Sequence, residues 1–228
     1  FNAVQGWNFS TSVFMSKGKT NSGPLFSGSL DLNYGLADRR LNPQAHLRYR
    51  FNSHNFATLR FDAGRKISQV NQEEPISPFV NMFAALLFKE SFMKVYQKDY
   101  LRIAYEQYLS STVQLSTQLE YAQRTALNNQ SNFSIFRKDS LFASNNPIDP
   151  TDFLNPGFVN SDILTLGVKA QWKPGQKLIV RPDATIYINR SAFVTLQLGY
   201  DYTIGLANAS YNFHKIYADI QQTIDFQN

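Results

Sequence analysis

Nine stretches of the chain alternate apolar and polar residues with a period of two, most of them for nine or more residues. From Phe193 to Thr203, Val194, Leu196, Leu198, Tyr200 and Tyr202 fall on one face, and Thr195, Gln197, Gly199, Asp201 and Thr203 on the other. Successive side chains of a β-strand point to opposite faces, so such a segment is greasy on one side and wet on the other. Strands of soluble sandwiches usually stop at five or six residues. Runs of about nine to thirteen residues with aromatics near their ends suit a bilayer crossed at a tilt.

The same alternation repeats along the chain. A first predicted strand, Ala3 to Met15, sets Trp7, Phe9, Val13 and Met15 against Asn8, Ser10 and Ser12. The second sets Phe26, Leu30, Leu32, Tyr34 and Leu36 against Ser27, Ser29, Asp31 and Asn33. Ala45, Leu47, Tyr49 and Phe51 then oppose Gln44, His46, Arg48 and Arg50, and Ala57, Leu59, Phe61 and Ala63 oppose Thr58, Arg60 and Asp62. The fifth strand carries Leu101, Ile103, Tyr105 and Leu109 opposite Arg102, Ala104 and Glu106, and the sixth has Glu120 and Arg124 on its polar side. Leu164 to Trp172 makes a seventh, residues 193–203 the eighth, and Lys215 to Phe226 the ninth, with Asp219 on its polar face.

This order predicts an all-β fold: an antiparallel, up-and-down transmembrane β-barrel, seen in part, with a short apolar helix in one long loop. Residues 1–228 read as part of one barrel domain with insertions near 65–99 and 125–161. Tight turns near residues 53 and 110 alternate with those long connections, as in outer-membrane barrels. The connection at 173–190 is placed on the tight-turn side. Nine is an odd count, whereas bacterial single-chain barrels have even numbers, so further strands are expected elsewhere in a longer protein.

Composition narrows the class. With 43% apolar residues and mean hydropathy of −0.33, the chain has no run near the roughly 18 apolar residues of a membrane helix. A barrel escapes that requirement because half its strand positions face a polar lumen. The 19 Phe and 12 Tyr fit interfacial girdles. The net charge of +5 comes from scattered Lys and Arg, which argues against nucleic acid as a partner. No cysteine is present, which excludes disulfides, thiol catalysis and cysteine-bound zinc.

Two groups of residues carry the candidate chemistry. The inward faces gather Arg48, Arg50, Arg60, Asp62, Arg102, Glu106, Glu120, Asp201 and Asp219. Strand order brings Arg60 near Arg48 or Arg50 and Asp62 near both, so ion pairs bracing the lumen are expected; unpaired charges would instead line an aqueous pore. The second group lies in the long connection, where Ser77-Pro78 is a helix start: Ser can cap and Pro suits the first helical position. That helix places Phe79, Met82, Phe83, Leu86, Leu87 and Phe88 on nearly every side, so it packs on the barrel mouth or meets lipid or a partner. His46 beside Asp62 or Asp31 is the best hydrolase pair on offer, and the three histidines show no metal-binding spacing. No catalytic residue, cofactor or metal site is assigned. The run at 144–158, rich in Asn, Asp and Pro, lacks the ordered Asp spacing of a calcium loop and reads as an ordered surface loop.

The run NQEEPISPFVNMFAALLFKESFMKVYQKDYLRIAYEQYL, followed by LEYAQRTALNN and ASNNPIDP, resembles a family of outer-membrane proteins common in Bacteroidota. The opening FNAVQGWNFS and the late INRSAFVTLQLGYDYTIG are similar to its strands. The resemblance implies a carboxypeptidase-regulatory-like domain near the N-terminus of the full protein, ahead of a barrel region of unassigned function. It implies residence in the Gram-negative outer membrane; contact with outer-membrane lipid and other envelope proteins in a complex are expected as partners. A structural, assembly- or transport-associated role is expected; a solute channel, part of a TonB-dependent barrel, or a barrel-embedded hydrolase are the other readings. No catalytic residues come with the resemblance.

Overall fold

The computed structural model describes residues 1–18, 25–71, 75–181, 185–188, 194–207 and 211–222. Nine strands form one antiparallel sheet: β1 (Asn8–Lys17), β2 (Leu25–Gly35), β3 (Leu41–Arg50), β4 (Thr58–Gln69), β5 (Val95–Tyr108), β6 (Val113–Ala126), β7 (Ser161–Trp172), β10 (Thr195–Leu206) and β11 (Asn212–Gln221). Their order in space follows the chain, each strand pairing with the next. A small separate hairpin, β8 (Lys177–Val180) and β9 (Thr185–Ile188), occupies the connection from β7 to β10, which pair directly. The connection at 173–190 was placed on the tight-turn side, with no strand expected in it. Short strands with no sustained alternation leave too little periodicity to distinguish them from a turn.

All nine strands of the sheet coincide with the nine alternating stretches, but two of the expected loops are shorter. β4 continues to Gln69, β5 already begins at Val95, β6 reaches Ala126 and β7 starts at Ser161. The insertions are therefore 70–94 and 127–160. Polar residues occupy both faces here, as in Arg65-Lys66 and Gln97-Lys98-Asp99, so the hydrophobic alternation fades while backbone pairing continues. Within β4, Gly64 has φ of +151°, and a Cβ there would lie 2.3 Å from the Pro43 carbonyl oxygen. Only glycine lets the two strands approach at that point. The lower part of the ninth predicted strand, Ile224 to Phe226, lies outside the described residues, as does Phe193.

The sheet has two unlike ends. The segments 1–7, 75–94 and 127–160 gather at one of them as a cap; 51–57, 109–112 and the described part of the β7–β10 connection lie at the other. Among the described residues, β1 and β11 are open edges and the sheet does not close. Among the described residues no single hydrophobic core underlies it. Buried apolar residues form small clusters in and beneath the cap: Ala3, Ala85 and Phe142 with Phe1, and Val4, Val95 and Leu127 with Ile67 and Met93. A third cluster of Tyr100, Ala122 and Ile163 lies on the polar face. The apolar face of the sheet is open to its surroundings, with Leu30 43%, Ile103 46% and Ile216 74% exposed.

The cap is held by polar side chains that satisfy strand ends. The Asn145 Oδ1 accepts the Val95 N–H at 3.0 Å, while its Nδ2 donates to the carbonyls of Val95 and Leu127 at 2.7 and 2.6 Å. Helix α1 (Pro78–Phe83) runs into a π-helical turn, Ala84–Phe88, that ends at Lys89 in a left-handed conformation. Pro78 takes the first turn as expected. Ser77 makes no side-chain capping bond; instead Gln69 brackets Ile76, its Oε1 accepting the Ile76 N–H and its Nε2 donating to the Ile76 carbonyl. No helix among the described residues is long and apolar enough to cross a membrane.

Candidate functional site

Hydrogen-bond register places the inward side chains in rows across the sheet. One row reads Ser29, His46, Asp62, Arg102, Glu120 and Thr165, each directly opposite the next. Its charges alternate in sign, and the contacts follow. His46 Nδ1 lies 2.7 Å from Asp62 and its Nε2 3.4 Å from Asp31. Arg102 reaches Asp62 at 4.0 Å and donates from Nε to Glu120 at 3.0 Å. Lys98, two rows nearer the cap, donates to the other Glu120 oxygen at 2.5 Å. The Lys98 and Glu120 side chains are 10% and 12% exposed, so this pair is largely withdrawn from solvent.

The next row toward the tight turns puts Arg48 directly opposite Arg60. Two like charges at that spacing repel unless an anion divides them. Glu106, from β5, does so: its two oxygens accept from Arg48 Nη2 at 3.2 Å and Arg60 Nη2 at 2.7 Å. Asp62 was expected beside Arg48 and Arg50. It serves His46 and Arg102 instead, because register sets it directly opposite both, while Arg48 lies diagonally from it on β3. Arg50 stacks its guanidinium over the Phe56 ring at 5.2 Å. Asp201 and Asp219 sit opposite Lys215 and Gln197 on β10 and β11, and among the described residues no ion pair joins them to the arginine cluster.

Several members escaped the sequence reading. Lys66 and Lys98 are opposite one another, and with Arg102 they surround the Tyr100 ring at 5.0, 5.7 and 5.9 Å. Gly64 and Ala122, the direct neighbours of Tyr100, supply the room for that ring. Starting the fifth strand at Leu101 hid Lys98 and Tyr100; continuing its alternation backward would have placed both inward. Toward β11, a groove of about 600 Å³ opens between Arg102, Glu120 and Arg124 on one side and Asp201 and Lys215 on the other.

The hydrolase pair meets an obstacle. Both ring nitrogens of His46 face carboxylates, and the Ser29 hydroxyl directs itself to Asp31 at 3.5 Å rather than to His46. A general base needs a free nitrogen next to its nucleophile. Among the described residues no group of three acidic or imidazole ligands is placed to hold a metal.

The apolar helix divides into two sides. Ala84, Ala85 and Leu86 are buried against the cap, Met82 and Leu87 are half-buried, and Phe79, Phe83 and Phe88 are exposed. Phe79 and Phe83 meet edge to face at 4.7 Å. The Leu86 carbonyl accepts from the Ser134 hydroxyl and the Ile135 N–H, tying the π-helical turn to the second long connection. Buried Asn81 accepts the N–H groups of Phe92 and Met93 and so returns the chain to β5. In the 144–158 run, Asn146 and Asp152 close successive turns through backbone N–H groups, giving the ordered loop that was expected. Hydrogen bonds from Thr151 hold the Asp149 carboxyl below its ordinary pKa, and those from Asn155 do the same for Asp152.

The whole chain, residues 1–228, matches the C-terminal domain of a family of unknown function (DUF5686), and the protein belongs to that family. No curated protein and no solved structure matches it.

Proposed function

We propose that this chain is part of the wall of a Gram-negative outer-membrane β-barrel, with a structural, assembly- or transport-associated role exercised with envelope partners. The observation that carries this reading is the two-faced sheet. Nine antiparallel strands expose Leu30, Leu47, Phe61, Ile103 and Ile216 on one side and carry a lattice of ion pairs on the other. A continuous apolar surface on that scale is a liability in water and a requirement in lipid. The earlier resemblance adds a Bacteroidota setting and an N-terminal carboxypeptidase-regulatory-like domain to the proposal.

Strand direction sets how the wall is completed. β1 and β11 both run from the cap end to the tight-turn end, so joining them directly makes a parallel seam. A second copy in the same membrane orientation meets the same seam twice. An odd number of further strands from the same polypeptide gives antiparallel pairing at both edges and an even total.

Single cysteines at successive β5 positions of the full-length protein test the wall, the chain having none of its own. In lipid vesicles, labels at Leu101, Ile103 and Tyr105 should be quenched by brominated acyl chains, while Arg102 and Ala104 react with a membrane-impermeant maleimide. Loss of that two-residue alternation overturns the reading. The polar groove beside Arg102 and Asp201 favours a second reading, a solute channel. Steady conductance across planar bilayers would support the channel, and its absence a plugged or structural barrel.

A further inference from the structure

The outward side chains also fall on rows set by register. One row joins Val13 and Leu30 through Ala63 and Leu101 to Asn212 on β11. The next row toward the tight turns joins Met15 through Phe61 and Ile103 to His214. The apolar stretch does not keep to the same rows across the sheet. On β1 it reaches up to Phe9. On β4 to β7 it ends lower, at the polar row Arg65, Asp99, Gln123 and Asp162. β10 still carries Leu206 opposite Asp162 in that row and Ile204 opposite Leu164, and the fall comes at β11, where both Asn212 and His214 are polar and the first outward apolar residue is Ile216.

Traced back through the register, Ile216 lies level with Lys17 of β1, which is eight residues below Phe9 (17 minus 9). At about 3.3 Å per residue the edge descends about 26 Å. Eight strand spacings of about 4.8 Å carry it about 38 Å sideways. Their ratio corresponds to a tilt of about 35°, within the range of membrane barrels. Height gives an independent check. From Asp99 to Tyr108 of β5 is nine residues (108 minus 99), about 30 Å along the strand. At that tilt it projects to about 24 Å, against about 25 Å for the apolar band of an outer-membrane barrel.

The upper edge is marked by more than composition. Arg65 Nε donates to Asp99 at 2.6 Å, Gln97 Nε2 donates to the other Asp99 oxygen at 2.8 Å, and Arg40 Nη1 donates to Gln97 at 2.7 Å. This is a hydrogen-bonded polar chain on the face whose lower rows are largely apolar. An ion pair there is costly in hydrocarbon and at home among headgroups.

We propose that the outer face carries a lipid-contact belt whose upper edge descends obliquely from Phe9, through the Arg65–Asp99 pair, to His214. The strands then cross the bilayer at about 35°. Arg40 and Arg65 stand at headgroup depth, where lipid phosphate is the complementary partner, and the cap with Phe79 and Phe83 lies outside the hydrocarbon layer. The proposal rests on the membrane-wall reading and adds orientation and depth to it.

Nitroxide labels on single cysteines in the full-length protein, reconstituted in phosphatidylcholine–phosphatidylglycerol vesicles, test it by relative collision with oxygen and a water-soluble nickel chelate. Within one row, Leu30 should be oxygen-dominated, Leu101 intermediate and Asn212 nickel-dominated. In the next row Ile103 should be the deepest position and His214 aqueous, with severalfold differences in the collision ratio. Gln123 and Phe83 should favour the nickel chelate. Equal depth along a row, or oxygen-dominated collision at Gln123 or Phe83, overturns the oblique belt and leaves the membrane wall intact. Nickel-dominated collision at every position, Leu30 and Ile103 included, removes the wall itself.

Discussion

Glu120 is the inward carboxylate on which the ion-pair lattice depends most, and Glu120→Gln tests that lattice directly. The substitution keeps shape and removes one charge that faces two cations, Lys98 Nζ at 2.5 Å and Arg102 Nε at 3.0 Å. A pair of charges about 4 Å apart is worth about 4 kcal/mol at an effective dielectric of about 20. Removing one partner of a buried pair typically costs about 3–5 kcal/mol, because the other charge stays buried without compensation. Arg102 retains Asp62 at 4.0 Å and is 31% exposed, which moves the expected loss to the lower end, about 3 kcal/mol. Urea unfolding of the full-length protein in vesicles measures it, followed by fluorescence of Trp7 and Trp172. Lys98→Met alone should cost less, and the double variant less than the sum of the two, by about 1–2 kcal/mol. A loss below about 0.5 kcal/mol together with additive single effects would refute the argument, showing water on the polar face of the sheet screening these charges as it does exposed pairs.

Three further outcomes follow from the same geometry. Ile103→Arg on the outer face should destabilise the reconstituted protein by about 2–4 kcal/mol, whereas Gln123→Arg at the belt's upper edge should cost about 0–1 kcal/mol, both read from urea midpoints. Asn145→Ala leaves the Val95 N–H and two buried carbonyls without their partner. At about 1–3 kcal/mol for each unsatisfied group, the loss should appear as faster proteolytic cleavage within 127–160 while β5 and β6 stay protected. The depressed carboxyls of Asp149 and Asp152 stabilise their turns above the unfolded value of about 3.9, and that support is lost as pH falls through their folded values. Amide exchange at Thr151, Leu154 and Asn155 should therefore accelerate below about pH 4, relative to the intrinsic rate, and Asp149→Asn should abolish the change at Thr151.

Much of the sheet could be read directly from the chain. Period-two alternation is a local consequence of backbone geometry, so it identified all nine strands of the sheet, their order and which side of each carries Arg48, Arg60, Arg102, Glu106 and Glu120. It failed where both faces turn polar. Arg65 to Gln69 and Val95 to Tyr100 are held in strand by pairing with each other, and backbone hydrogen bonds leave no hydrophobic trace. The hairpin β8–β9 was hidden for a related reason: four-residue strands are too short to show a period.

Which charge meets which was settled only by tertiary structure. Ion-pair partners depend on register, and a shift of one residue between strands moves a side chain to the opposite face. Sequence supplied Asp62 and Glu106 as inward acids, but register decided that Asp62 serves His46 and Arg102 while Glu106 separates Arg48 from Arg60. The cap is also beyond local inference, since Asn145 binds Val95 from fifty residues away. The oblique edge of the apolar band joins the two levels. Its residues are plain in the sequence, yet their slope appears only once hydrogen bonding has aligned nine strands into common rows.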